Sequence, residues 1–169
     1  MNDSELRQAF EQHKDAVYRF AWRMTASPEA AEDIAQEVFL SLVRRPDSFD
    51  PARGSLRAFL LGAARNQARK RFREEQRWDV LEDDDFAFEP ATYVDVAVAV
   101  GAAVQALPPL QREALILAEY EDLSLEEIAG AVEAEIGTVK ARLHRARENL
   151  RKALEPFYKT NPRTVVHGT

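Results

Sequence analysis

The sequence has no cysteine among its 169 residues, so the protein can form neither disulfides nor thiolate metal sites. Its histidines, His13, His144 and His167, are too dispersed to give the spacing of metal ligands. A glycine-rich phosphate-binding loop is missing as well. These absences leave enzymatic chemistry with little support, and we expect a protein that is not an enzyme and that uses neither a metal nor another cofactor.

Long hydrophobic segments are also absent. No apolar run approaches the ~20 residues that a membrane-spanning helix needs, and the acidic residues 1–5 lack the apolar core of a secretory signal. Together with the lack of cysteine, this leads us to expect a cytoplasmic location without membrane insertion. The composition, with 46% hydrophobic and 31% charged residues, is typical of a globular chain.

Basic residues are outnumbered by acidic ones, 23 to 29, but they are locally clustered. The formal net charge is -6, which argues against a protein that coats nucleic acid uniformly. Yet the stretch "EIGTVKARLHRAR", residues 135–147, carries Lys140, Arg142, Arg145 and Arg147. The basic residues are therefore segregated into a local patch that a single partner could recognise.

Helical periodicity accounts for most of the sequence. Apolar residues at helical spacing, Phe10 among them, predict a helix over residues 5–25, and the shared apolar face of Val96, Val100, Val104 and Leu107 predicts a later one. Ser27 followed by Pro28 predicts the N-terminus of the second helix. Ser55 can cap a third helix, whose C-terminal half is strongly basic. Since no segment alternates with period two for the length of a strand, we predict an all-α fold.

The charge pattern divides the chain into two helical domains. The segment "DVLEDDDFAFEP", residues 79–90, is acidic and aperiodic, which is typical of a flexible linker. The predicted boundaries are an N-terminal domain over 1–78, a linker over 79–94, a C-terminal domain over 95–158 and a tail over 159–169.

The C-terminal domain contains the signature of a helix-turn-helix. Ser124 and Glu127 form a capping box for a short helix that ends near Val132, and a longer basic helix follows. The residues of that longer helix predicted to be buried are Val139, Leu143, Ala146 and Leu150. In this motif the second helix lies in the major groove, so its first turns must reach bases and its flanks must neutralise phosphates. The alternative is a solvated basic face on an ordinary bundle helix.

Two further patches carry charge on one helix face. Asp33, Gln36 and Glu37 are spaced i, i+3 and i+4, which forms an acidic patch that could face a basic partner helix or be solvated. Between Arg65 and Arg73 there are more cations than the negative helix end needs. Contact with a nucleic-acid backbone is the better interpretation of that run.

These segments, in this order, resemble the motifs of the bacterial extracytoplasmic-function (ECF, group IV) RNA polymerase sigma factors. "AEDIAQEVFLSLVRR" resembles the helix that binds core polymerase, and "GSLRAFLLGAARNQARKRFR" resembles the helix for the promoter -10 element. "LPPLQREALILAEYEDLSLEEIAGAVEAEIGTVKARLHRARENLRKAL" resembles the domain for the -35 element. The resemblance implies a sigma factor that binds core polymerase and directs promoter recognition and transcription initiation.

The resemblance also implies which residues bind each partner. The coiled coil of the polymerase's largest subunit would contact Asp33, Gln36, Glu37 and Phe39. The -10 element would contact Arg57, Phe59, Arg65, Asn66, Arg69 and Lys70, with residues 47–55 shaping a pocket for a flipped base. The -35 element would contact Thr138, Lys140, Arg142, Arg145 and Arg147. Sigma factors of this class often pair with an anti-sigma factor, which is a further possible partner.

Several residues depart from the usual pattern of that class. Phe59 stands where tryptophan is usual, Gly62 and Ala63 replace a commoner Arg-Ile pair, and Glu133 occupies the position of a turn glycine. Two functions compete with the sigma-factor hypothesis. One is a stand-alone helix-turn-helix transcriptional regulator, and the other is a helical adaptor that does not bind DNA.

Overall fold

The computed structural model describes residues 1–75, 86–88 and 95–159, and it is helical throughout these ranges apart from short connections. In chain order the helices are α1 (Asp3–Thr25), α2 (Pro28–Arg44), α3 (Leu56–Glu74), α4 (Val96–Ala106), α5 (Pro109–Leu115), α6 (Leu125–Val132) and α7 (Ile136–Lys159). A 3-10 turn, Pro51–Arg53, precedes α3, and a π-helical turn, Ile116–Tyr120, extends α5. The all-α prediction is confirmed.

The predicted helix starts are confirmed by their caps. Ser27 Oγ accepts a hydrogen bond from the Ala30 amide at the start of α2, and Ser55 caps α3 in the same way. At α6, Ser124 and Glu127 satisfy each other's backbone amides at 3.0 and 3.1 Å. Since each cap uses neighbours in sequence, the local pattern was enough to place these starts.

Loss of the α6 cap should destabilise the chain modestly. In Ser124→Ala the amide of Glu127 loses its acceptor, so we expect the free energy of unfolding to fall by about 1 kcal/mol. Urea unfolding followed by circular dichroism measures the change. Ser4→Ala, an exposed substitution in α1 outside any cap, is the control and should leave the midpoint unchanged.

Helices α1, α2 and α3 pack into an N-terminal unit. Its fully buried side chains include Phe20, Met24, Leu60 and Leu61, which fill the space between the three helices. Phe10 was expected on this inward face but remains 43% exposed. It lies at the outer edge of the α1–α2 contact, where its ring meets the Phe39 ring edge-on at 5.1 Å between centroids.

The C-terminal unit is built on α5, α6 and α7. Val139, Leu143 and Ala146 are buried as predicted, whereas Leu150 is only partly buried. Val96, expected on the inward face of α4, is exposed because it begins the helix, beyond the packed turns. The inward residues fix the rotation of α7 and therefore decide which of its side chains face outward.

The two units do not stand apart but share one continuous apolar core. Helix α3 packs on α6, and α1 contacts α4 and α5. The predicted acidic linker, residues 79–94, lies largely outside the described residues. Only residues 86–88 of the linker are described. Of the helices that are described, none is long and apolar enough to cross a membrane.

Candidate nucleic-acid interface

A tight turn joins α6 to α7 and sets the geometry of the helix-turn-helix. Glu133 ends α6 in the left-handed conformation, with φ 55° and ψ 49°, and its amide donates to the Ala129 carbonyl. The next amide, that of Ala134, donates to the same carbonyl at 3.0 Å. The glutamate therefore adopts a conformation that usually favours glycine, and the turn forms without one.

The outer face of α7 is polar and exposed over its first three turns. Thr138, Lys140, Arg145 and Arg147 are all exposed on α7. Arg147 is oriented by Glu119, whose Oε1 accepts from its Nη2 at 2.6 Å and from its Nε at 3.1 Å. The surface can therefore present several cations to a phosphate backbone.

Arg142 is placed differently from these four residues. It is only partly exposed, and its Nη1 atom is buried without a hydrogen-bond partner in the part of the chain that the structure describes. Its positive charge acts on the carboxylate of Glu113, which lies inside the domain contact. The guanidinium of Arg142 is therefore partly buried on the side of α7 that faces Glu113 of α5.

The predicted -10 residues on α3 are divided between surface and interior. Asn66 and Lys70 are exposed, and Phe59 is half-buried with its ring 5.4 Å from the Phe49 ring. Arg69 is also partly buried. Arg65, in contrast, is 4% exposed, so this side chain lies within the contact between the two units.

Arg65 forms a two-pronged ion pair with Glu113 of α5. Its Nε donates to Glu113 Oε2 at 2.7 Å and its Nη2 donates to Oε1 at 3.1 Å, while the carboxylate is fully buried. Burial raises the pKa of Glu113, and the hydrogen bonds and charge of Arg65 oppose that rise. Sequence analysis did not single out Glu113, although a glutamate beside the inward Ala114 and Leu115 was a usable signal.

A second buried carboxylate, Glu121, lies at the same contact. It accepts from Arg57 Nη2 at 2.6 Å and from Arg19 Nη2 at 3.4 Å, and its backbone carbonyl also accepts from Arg57 at 3.1 Å. Nearby, Ser55 Oγ donates to Glu127 Oε2 at 2.9 Å. The hydrogen bond from the Ser124 amide is the main cause of a lowered pKa for Glu127, with Ser55 adding to it.

The acidic patch of α2 lies on the surface. The side chain of Asp33 is 66% exposed and that of Glu37 is 40% exposed, and Gln36 is exposed between them. Their own ion pairs, to Arg71 at 3.4 Å and to Arg44 at 3.3 Å, are long surface contacts. Such pairs contribute little free energy, so the carboxylates can exchange them for a partner's cations.

Phe39 is separated from the other residues predicted to bind polymerase. Its side chain is largely buried against Phe10 and lines an apolar groove between α1 and α2. Gln36 lies at the rim of the same groove, together with Leu40 and Val43. The structure therefore brings an acidic patch and an exposed apolar strip together on one side of α2.

Two family models match the chain. Residues 9–78 match Sigma-70 region 2, and residues 97–150 match Sigma-70, region 4. Both segments fall on the helical units, since the first contains most of α1 together with α2 and α3, and the second contains α5, α6 and most of α4 and α7.

Curated relatives of the chain are ECF RNA polymerase sigma factors. SigE of Mycolicibacterium smegmatis is 34% identical over an alignment of 154 positions that covers 85% of this chain and 59% of that protein. SigW of Bacillus subtilis is 32% identical over 159 residues, covering 84% of each chain. This chain therefore spans little more than half of the first relative's length and most of the second's.

Two solved structures share the fold of this chain. The sigma factor RpoE of Bartonella quintana, solved with the anti-sigma factor NepR, superposes with a TM-score of 0.69 at 31% identity, over 89% of this chain and 97% of that one. CnrH, solved with the cytosolic domain of CnrY, gives a TM-score of 0.66 at 25% identity, over 91% and 90% of the two chains.

Proposed function

The chain belongs to the ECF RNA polymerase sigma factors, and from that premise we propose that it binds core RNA polymerase and directs it to promoters for transcription initiation. It acts by binding and not by catalysis, in the cytoplasm, where polymerase and DNA are found. The observation that carries the proposal is the exposed cationic face of α7, presented by a capped helix-turn-helix in the segment that matches region 4. Residues 1–78 serve as region 2 and residues 95–158 as region 4, with 79–94 as their linker and 159–169 as a tail without an assigned role.

Core polymerase binds the α2 patch. Asp33, Gln36 and Glu37 present carboxylates and an amide to the basic side of the largest subunit's coiled coil, and complementary charge both steers and aligns such an encounter. Phe39 contributes from beneath, because its ring holds α2 against Phe10 of α1. The exposed apolar residues beside the patch, Leu40 and Val43, add hydrophobic contact area to this surface.

The -10 element binds along α3. Asn66, Lys70 and the edge of Phe59 are reachable from solvent in the structure, whereas Arg57 and Arg65 are engaged by carboxylates. The non-template strand is negatively charged, so it competes with those carboxylates for the same guanidinium groups. Arg69 completes the surface, and residues 47–55 line the pocket for a flipped base.

The -35 element binds α7. Thr138, Lys140, Arg145 and Arg147 approach it from the outer face, and Arg142 joins them if its guanidinium turns outward on binding. The cations proposed to contact DNA are those of the basic segment 135–147. On the opposite side of the helix, Val139 and Leu143 are buried and pack α7 against the rest of the unit.

Lys140 and Arg142 should respond differently to truncation. Lys140 is exposed, so Lys140→Ala removes a phosphate contact, weakens all -35 sequences alike and reduces the salt slope by about one. If Arg142 reads a guanine, Arg142→Ala costs about 1–3 kcal/mol and relaxes preference at one base pair. The measurement is binding of polymerase complexes to -35 variants of a mapped promoter at two salt concentrations. If both variants bound DNA with wild-type affinity, the basic side of α7 would be an ordinary solvated helix face and would not bind the -35 element.

The two glutamates before α7 should oppose DNA. Glu133 and Glu135 are exposed beside the cationic face, so their charges repel phosphates. Glu133→Gln with Glu135→Gln should strengthen promoter binding without creating a new base preference. Glu29→Gln, which removes an exposed carboxylate from α2, is the control and should leave DNA affinity unchanged. Equal affinity of the double variant and the parent would contradict this arrangement.

An anti-sigma factor is a further partner of the proposed function. The sigma factor RpoE, which shares the fold, was solved with the anti-sigma factor NepR. The surfaces that an inhibitor would need to cover are the α2 patch and the exposed cations of α7.

Fragment binding by the full chain tests the proposed function against its alternatives. With core polymerase present, the chain should retain a reproducible subset of genomic DNA fragments at a salt concentration where core alone retains none. A stand-alone helix-turn-helix regulator would retain specific fragments without core. A helical adaptor would retain none under either condition.

A further inference from the structure

Glu119 is an acid that lies beside the cationic side of α7, where it lines a groove together with Lys140 and Arg147. We propose that Glu119 is a positioning residue, which holds the Arg147 guanidinium in one orientation so that Arg147 grips a single phosphate and fixes the register of α7 on the -35 element. The inference rests on the proposed function, because it concerns the same -35 surface.

The pair between Glu119 and Arg147 is two-pronged and passes through one carboxylate oxygen. Oε1 of Glu119 accepts from Arg147 Nη2 at 2.6 Å and from Nε at 3.1 Å. Exposed ion pairs stabilise a fold little, but two donors in a rigid planar fork define the direction of the whole guanidinium. The side chains of Arg147 and Glu119 are 52% and 51% exposed, so the pair orients an arginine that DNA can still reach.

The π-helical turn, Ile116–Tyr120, gives Glu119 a fixed support. The Glu121 amide donates to the Ile116 carbonyl, five residues back, at 3.1 Å, and this spacing is that of a π turn. Ile116 and Leu117 of the same turn are buried in the core. Because the core anchors the backbone on both sides of the bulge, the carboxylate of Glu119 can restrain the longer and more mobile side chain of Arg147.

The orientation leaves part of the guanidinium for DNA. Of its five N–H groups Glu119 accepts two, and the other three can donate to a phosphate in a forked contact. Lys140 precedes Arg147 by seven residues, so the two cations lie on one side of α7 about 10 Å apart along its axis. They can therefore grip different phosphates, and contacts of this kind set the register in which a helix lies in the groove.

The charge of Glu119 acts on affinity in the opposite direction. The carboxylate offsets the charge of Arg147 and repels phosphates, so its removal should not weaken binding to DNA of arbitrary sequence. The released guanidinium could then reach phosphates in several registers, which would reduce discrimination against wrong sequences. A residue that only supported the fold would instead weaken binding to every sequence alike when it was replaced.

Glu119→Gln tests this role in complexes of the full chain with core polymerase. The substitution keeps the size of the side chain and removes its charge. On a promoter mapped with the wild-type chain, we expect the preference over a duplex with a scrambled -35 element to fall at least about threefold, with the loss spread over all positions of the element. Affinity for the scrambled duplex should equal or exceed that of the wild type, and the unfolding midpoint should be unchanged.

Arg147→Lys is the second variant. Lysine keeps the positive charge but lacks the planar fork that Glu119 holds at two points. The variant should therefore keep the wild-type salt slope and lose preference to the same degree as Glu119→Gln. Glu148→Gln, which removes the carboxylate paired with Arg151 at 3.0 Å on the same helix, is the matched control and should keep the wild-type preference.

Three results would overturn the inference. The first is wild-type preference in both Glu119→Gln and Arg147→Lys. The second is a loss of preference confined to one base pair, because Arg147 would then read a base and would not clamp a phosphate. The third is equal weakening of Glu119→Gln on both duplexes, which would give Glu119 a purely structural role. If the wild-type chain directed no transcription start sites, there would be no promoter to map, and the proposed function itself would be refuted.

Discussion

Asp33→Arg combined with Glu37→Arg should abolish co-elution of the chain with core polymerase. The substitutions replace two exposed carboxylates with cations, so attraction to a basic partner becomes repulsion, which costs several kcal/mol at an interface. Helical content should be unchanged, because the ion pairs lost on the protein itself are long surface contacts. Size-exclusion chromatography with core polymerase, together with circular dichroism, gives both readouts.

A matched control exists on α1. Glu11→Arg with Asp15→Arg reverses two charges at the same i, i+4 spacing but outside the patch. This control should still co-elute with core polymerase. If the α2 variant retained both core binding and normal helicity, the α2 patch would not be the polymerase-binding surface.

Leu143→Ala should give the largest loss of fold stability among the substitutions considered. The side chain is 3% exposed and lies between Val139 and Ala146 on the inward face of α7. Its truncation leaves a cavity where the helix meets the core, so the free energy of unfolding should fall by about 2–5 kcal/mol. Urea unfolding of the full chain measures the loss.

The control for this prediction is Leu40→Ala. Leu40 is exposed on α2, so its truncation should change stability by less than about 0.5 kcal/mol. If Leu143→Ala unfolded at the same urea concentration as the parent, α7 would be rotated from the orientation described here. The assignment of its outer face to DNA would then be wrong.

Local features of the fold could be predicted from the sequence. The starts of α2, α3 and α6 depend on Ser27, Ser55 and Ser124, whose side chains bond amides only three residues away. Helical periodicity likewise identified the inward positions Val139 and Leu143. Periodicity shows which side of a helix is apolar, but it does not show how much of that side a neighbouring helix covers. Phe10 therefore lies on the apolar side of α1 and is nevertheless 43% exposed.

The buried ion pairs between the two units could not be predicted in this way. Arg65 and Glu113 are 48 residues apart, and Arg57 and Glu121 are 64 apart. Such pairs depend on how whole helices dock, and the aperiodic acidic segment between the units indicated separation instead. Only the placement of Glu113 beside inward apolar residues hinted that this acid had a buried partner.

The sequence contained a signal that Arg142 is partly buried, but the high positive charge of the segment favoured an exposed position. Arg142 follows Val139 by three residues and precedes Ala146 by four, so it shares a helix face with two buried side chains. The basic character of the run favoured an outward position for all its cations. The structure separates them into an exposed set and one guanidinium that faces Glu113.

Transcription in vitro tests the central claim most directly. Purified core polymerase, the full-length chain and fragmented genomic DNA are combined, and the 5′ ends of the transcripts are mapped. We expect discrete start sites, absent with core alone, whose upstream sequences share one motif at the -10 position and another at the -35 position. Start sites identical to those of core alone, with a folded chain that co-elutes with the polymerase, would contradict it.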